Sequence, residues 1–181
     1  MRVKHLKFLG VFAAALLGLN GCAVLEGDGE AAFCPPTAIL DEPGELVRFK
    51  GGTAPGPANV MFRTKMKSIS GLCDFDEETI VMDLGIAMRA LRGPANKEGK
   101  AEFVYFVAIL QSDRKVLTRQ EFPMLALFEN QDTQIDFVES VTVTIPRRKG
   151  TAPTDYLVYL GFEMTPEELA YNRRRLGRRA N

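Results

Sequence analysis

Residues 79–91 read Thr-Ile-Val-Met-Asp-Leu-Gly-Ile-Ala-Met-Arg-Ala-Leu. Ile80, Met82, Leu84, Ile86 and Met88 recur at every second position, with Asp83, Gly85 and Arg89 between them. A period of two belongs to an extended strand with one face on a core and the other toward water, and it decides against a helix. The preceding run, 60–70, repeats the pattern. Val60, Phe62, Thr64, Met66 and Ser68 fall on one face, Arg63, Lys65 and Lys67 on the other.

Working outward, further strand-forming runs lie at 37–40, 46–49, 101–110, 115–122, 141–145 and 156–164. Turn-rich segments at 50–57, 93–100, 129–134 and 146–154 separate several of them. Short strands with regular turn signals predict an all-β fold: an immunoglobulin-like or fibronectin type III-like antiparallel β-sandwich of seven or eight strands, over 33–164. The 101–110 run is apolar on both faces, with Phe103, Tyr105, Val107 and Ile109 against Val104, Phe106, Ala108 and Leu110. That is expected of a central strand whose second face is covered by a loop or helix; the other reading is an apolar patch that receives a partner.

After 164 the pattern changes. Thr165 is a capping residue, Pro166 suits the first helical position, and Glu168 follows three after the cap. A short C-terminal α-helix is expected, docked by its first turn, with Leu169 and Leu176 as its weak apolar face. Arg173, Arg174, Arg175, Arg178 and Arg179 crowd its end, within a helix and basic tail spanning 165–181. They complement the helix dipole and are candidate contacts for an acidic partner, polymer or lipid headgroup.

The N-terminus reads as an address. Residues 1–7 are basic and 8–19 are apolar without interruption. A membrane-crossing helix needs about 20 apolar residues, so this run suits a secretory signal instead. Leu19-Asn20-Gly21-Cys22 has the form of a bacterial lipobox: signal peptide 1–21, Cys22 as the lipidation site, and a tether over 22–32. Acyl chains such as palmitate on Cys22 would anchor the chain, since two or more hold a protein stably at a bilayer.

Removal of residues 1–21 leaves 20 basic and 23 acidic side chains and no histidine, because the one histidine is His5. Without an imidazole, Ser-His-Asp and Cys-His catalysis and histidine-bound catalytic zinc are excluded. No catalytic residue, metal or cofactor is expected. The balance of charge also argues against a nucleic-acid binder. Cys34 and Cys73 would form a disulfide in the oxidising compartment that the signal implies; two buried free thiols are the alternative. Asp74, Asp76, Glu77 and Glu78 could offer oxygen ligands to a hard cation, but they lack the spacing of an EF-hand and read first as turn residues. Gly51-Gly52 is not a phosphate loop, because no Gly-Lys-Ser/Thr ending follows.

The order of these features is distinctive: the lipobox, Cys34-Pro35-Pro36, Ser70-Gly71-Leu72-Cys73, Arg92-Gly93-Pro94-Ala95, Tyr105-Phe106-Val107-Ala108-Ile109, then Gly161-Phe162-Glu163-Met164-Thr165-Pro166-Glu167-Glu168-Leu169. It resembles small uncharacterised outer-membrane lipoproteins of alphaproteobacteria over most of the mature chain. The resemblance implies location and fold, and brings no activity. Ala23 in place of Asp after the lipidated cysteine favours the outer membrane, facing the periplasm, under the enterobacterial sorting rule. The expected role is structural or adaptor-like, with an envelope partner bound through the sandwich or the arginine tail. The alternative is a binding module for an envelope lipid or polymer.

Overall fold

A computed structural model describes residues 34–51 and 55–179. The expected signal peptide 1–21, the expected lipidation site Cys22 and the whole expected tether 22–32 lie outside the described residues.

Among the described residues eight strands and one α-helix follow in order: β1 (Thr37–Ile39), β2 (Glu45–Phe49), β3 (Val60–Phe75), β4 (Thr79–Arg92), β5 (Lys100–Gln111), β6 (Val116–Leu127), β7 (Gln134–Pro146), β8 (Tyr156–Phe162) and α1 (Pro166–Arg179). They form two four-stranded sheets, sheet A in the order β1-β8-β5-β6 and sheet B in the order β2-β3-β4-β7. All pairings are antiparallel except β1 with β8. The fold is thus the expected immunoglobulin-like antiparallel sandwich with a short C-terminal helix. Its wiring combines a β2-β3-β4 meander with a β5-β6 hairpin, and β7 and β8 return to β4 and β5.

The core fills the space between the sheets. Ile80, Met82, Leu84, Ile86 and Met88 of β4 face Phe103, Tyr105, Val107 and Ile109 of β5 and Val158, Leu160 and Phe162 of β8 within one buried cluster. β5 is central in sheet A, as expected. Its second face is covered locally: the Arg119 guanidinium lies 4.2 Å from the Phe106 ring centroid, and the β1–β2 connection folds over Gly161. A Cβ on Gly161 would lie 2.9 Å from both the Phe106 ring and Pro43, so only glycine admits this approach.

Three strands differ from the expected spans. β3 runs on to Phe75, through a bulge between Met66 and Ser68. The bulge reverses which residues face inward: Ser68, expected in the core, is exposed, and Ile69, Cys73 and Phe75 pack on it instead. β6 continues past 122 through Pro123, which is tolerated because β6 is an edge strand. β7 begins at Gln134 rather than 141.

Two buried tyrosines predict opposite outcomes. The Tyr105 hydroxyl is buried with no hydrogen-bond partner among the described residues; burial, then the negative charge of Glu139, pushes its ionisation far above the usual range. The Tyr156 hydroxyl accepts from the Arg148 N–H at 2.8 Å and meets the Thr151 hydroxyl at 3.1 Å. Tyr105→Phe should therefore stabilise the fold by about 1 kcal/mol, and Tyr156→Phe should destabilise it by about 1–2 kcal/mol. Urea unfolding of the two variants checks the opposite signs.

Candidate functional site

The helix α1 docks by side-chain polarity rather than by an apolar face. The Glu168 N–H donates to Thr165 Oγ1 at 3.2 Å, and the Thr165 N–H to Glu168 Oε2 at 2.9 Å, which closes the expected capping box. Glu168 also pairs with Arg48 at 3.2 Å. One turn on, Tyr171 meets Phe49 edge to face, with ring centroids 5.1 Å apart. Asn172 is only 1% exposed, and its Nδ2 donates to the Glu42 carbonyl at 2.9 Å and to the Glu45 carbonyl. A further turn on, Arg175 Nη1 donates to Glu45 Oε1 at 2.6 Å. Positions 168, 171, 172 and 175 form one stripe at helical spacing, and it packs on β2, the edge strand of sheet B. The expected docking by the first turn is corrected: contacts run along three turns, and the helix shields an edge that would otherwise offer free backbone groups.

This arrangement reassigns two of the arginines. Arg175 is only 12% exposed and serves the fold through Glu45. Arg173 pairs with Glu42 at 2.8 Å. Arg174 is exposed on its side of the helix and has a partner in the chain. Arg178 and Arg179 lie in the last turn, their side chains outside the described residues.

Glu45 sits between cations. Burial raises its pKa, but the Arg175 hydrogen bond and the charges of Arg175, Arg63 and Lys65 outweigh burial and hold it below 4.5. A depressed folded-state pKa gives stability that is present above the unfolded value and is lost as pH falls through the folded one. Docking of α1 should therefore weaken as pH drops below about 4.5, and Glu45→Gln should remove that part of the acid-side slope. Thermal unfolding followed across acid pH for both proteins checks this.

A groove of about 790 Å³ opens beside β5 and β6. Its origin is a matter of register. β8 ends at Phe162, opposite Tyr105, so among the described residues the 100–104 half of β5 has no third strand beside it. On that side the Val104 carbonyl accepts from the Glu163 N–H at 2.9 Å, and the Lys100 carbonyl accepts from Asn96 Nδ2 at 2.8 Å. Antiparallel strands turn alternate residues the same way, so Glu102 between them presents its N–H and C=O to the groove. Val104, Pro123, Leu125 and Met164 supply apolar walls, and Arg48, Glu102 and Glu163 supply charge. Leu125 is 55% exposed. A second cavity of about 260 Å³ adjoins it and shares Arg48 and Glu102. Sequence reading did not single out this site.

The remaining candidates fall elsewhere. Cys34 and Cys73 form the disulfide, with Cα atoms 5.8 Å apart, joining the approach to β1 in sheet A to β3 in sheet B. Asp76 closes the β3–β4 turn: its Oδ1 accepts from the Glu78 and Thr79 N–H groups and the Thr79 hydroxyl. These bonds hold its carboxyl below the usual range. Among the described residues no group of three or more His, Cys, Asp or Glu gathers as a metal site.

No family model matches the chain, and no curated protein matches its sequence. Among solved structures, the variable (V) domain of the Streptococcus agalactiae AgI/II polypeptide BspA is similar at 5% identity. The match covers 67% of this chain and 73% of that one, with a TM-score of 0.17, a likeness too slight to carry a conclusion about function.

Proposed function

We propose that this protein is a lipid-anchored adaptor of the bacterial envelope, held at the outer membrane through Cys22 and facing the periplasm. It binds an extended segment of an envelope protein in the groove beside β5. The observation that carries the reading is the vacant position next to β5 beyond Phe162, where Glu102 offers a backbone donor and acceptor between apolar walls. Addition of a strand to such an edge uses main-chain hydrogen bonds for affinity and side-chain pockets for selectivity. The arginine tail contributes less than its composition suggests, because Arg173 and Arg175 are engaged by Glu42 and Glu45.

The test is in-cell photo-crosslinking from position 125, with position 72 on sheet B as the comparison. The expected result is one envelope protein captured at 125, absent at 72, and lost when Val104→Lys fills the groove. Equal capture at both positions, or capture that survives Val104→Lys, rejects the groove as the site. Acyl labelling that disappears in Cys22→Ser checks the anchor separately.

A further inference from the structure

The outer face of sheet B carries a row of charge across all four strands. Glu45 of β2 lies opposite Lys65 of β3, Lys65 opposite Arg89 of β4, and Arg89 opposite Asp136 of β7. Like charges directly opposite each other on neighbouring strands are destabilising, so the Lys65–Arg89 pair needs an account. Two carboxylates offset part of it. Asp136 takes Arg89 in a two-pronged bond at 2.7 and 3.1 Å. Glu45 is already engaged by Arg175 and, at 3.2 Å, by Arg63. Among the described residues neither Lys65 nor Lys67 forms a salt bridge.

Arg63, Lys65, Lys67 and Arg89, together with Glu45 and Leu91, line a concavity of about 220 Å³. Arg175 stands behind it on Glu45, and its Nε and Nη2 are buried with no hydrogen-bond partners among the described residues. Five cations thus surround two carboxylates. Lys67 is the additional residue of the β3 bulge, which places Lys67 and Ser68 together opposite Ala87. Bulges serve in this way to re-aim side chains beside functional sites.

We propose that this concavity binds the phosphate of an anionic lipid headgroup. The membrane is favoured as the source by the reach of the N-terminal segment. Residues 23–33 span at most roughly 36–40 Å, and Lys65 lies about 26 Å along β3 from the disulfide at Cys73. An anchor at Cys22 therefore allows this end of sheet B to meet the bilayer, leaving the groove of sheet A free. The site does not depend on the adaptor reading, and only the choice of membrane as source rests on the anchor.

The test uses the chain from residue 22 onward with Cys22→Ser, so that no acyl chain contributes, and co-sedimentation with lipid vesicles at low salt. Binding is expected to phosphatidylcholine vesicles containing phosphatidylglycerol, and not to phosphatidylcholine alone. Each lysine near an anionic surface strengthens binding roughly fivefold, so Lys65→Gln with Lys67→Gln should weaken it about 25-fold. Melting of that variant should not fall, since losing Lys65 also relieves its repulsion with Arg89. Lys115→Gln with Lys149→Gln, at exposed lysines elsewhere, should leave binding intact. Equal binding to both vesicles, an unaffected Lys65/Lys67 variant, or equal loss in the comparison variant overturns the proposal. If inorganic phosphate binds the chain, and that binding is lost with Lys65→Gln and Lys67→Gln, while neither vesicle is bound, the lipid is overturned as occupant in favour of a soluble phosphate compound.

Discussion

Cys73→Ser should lower stability by about 4 kcal/mol, from the chain-entropy cost of opening a loop of this size in the unfolded state. The bond spans a sequence separation of 39 residues, and that closed loop contains β1, β2 and most of β3. β1 depends on it most. The strand has three residues and pairs in parallel with β8 alone. Its flanks are held by the Val158 N–H to the Pro36 carbonyl and the Leu40 N–H to the Leu160 carbonyl, both at 2.9 Å. Without the crosslink, β1 should open first and uncover the edge of β8. A domain of about 150 residues loses roughly 4 °C of melting temperature per kcal/mol, so the drop should be about 15 °C. Cys34→Ser and reduction of the unmodified pair should give the same shift, measured in the Cys22→Ser background to keep a third thiol out. A reduced protein melting within a few degrees of the oxidised one would show that the loop is already ordered when unfolded.

What could be read from residues alone follows the physics of each element. The inward row Ile80–Met88 was legible because β4 is regular and lies between β3 and β7, so every second side chain is buried. The second half of β3 was not, since one added residue at Lys67 reverses the inward set and breaks the period. The first half of β7 was hidden for another reason. Its inward positions are Ile135, Phe137 and Glu139, all only partly buried, because β7 is an edge strand. An inward glutamate interrupts the apolar alternation. The helix was found from its cap, but its docking face was misjudged, because Glu168, Asn172 and Arg175 bind through hydrogen bonds that hydropathy does not register.

The groove belongs to a class that sequence does not reveal. It exists because β8 stops opposite Tyr105 while β5 continues to Lys100, which is a fact of register between segments about 50 residues apart. The basic concavity was half visible. Arg63, Lys65 and Lys67 alternate plainly in β3, but Arg89 and Arg175 join them only through strand pairing and helix docking. The proposed anchor is the reverse case: that reading rests wholly on residues 1–22, which the described structure does not include.

Gly93→Ala should be nearly as damaging as loss of the disulfide, and it would reach the groove. A Cβ on Gly93 would lie 2.1 Å from the Val60 carbonyl oxygen and 2.6 Å from its carbon. Both are backbone atoms at the start of β3, so no rotamer change relieves the clash. The Gly93 N–H donates to the Met61 carbonyl at 2.8 Å, and the Ala95 N–H to the Val60 carbonyl at 3.0 Å. Forcing the strands apart costs about 1–3 kcal/mol in overpacking, and each hydrogen bond lost adds about 1 kcal/mol. The expected destabilisation is therefore about 3–5 kcal/mol, a melting shift of roughly 12–20 °C. The same turn aims Asn96, whose N–H donates to the Gly93 carbonyl, whose Nδ2 holds the Lys100 carbonyl and whose Oδ1 accepts from the Gly99 N–H. Displacing Gly93 releases that clamp at the end of β5 where the groove begins. Crosslinking from position 125 should fall even at temperatures where the variant remains folded. Gly177→Ala provides the comparison: an added Cβ there meets nothing within 4 Å in α1, and it should stabilise the helix by about 0.5–1 kcal/mol. If Gly93→Ala melted like Gly177→Ala, the close packing of this turn on β3 would be wrong, and with it the reason that β5 is fixed where a partner strand could join it.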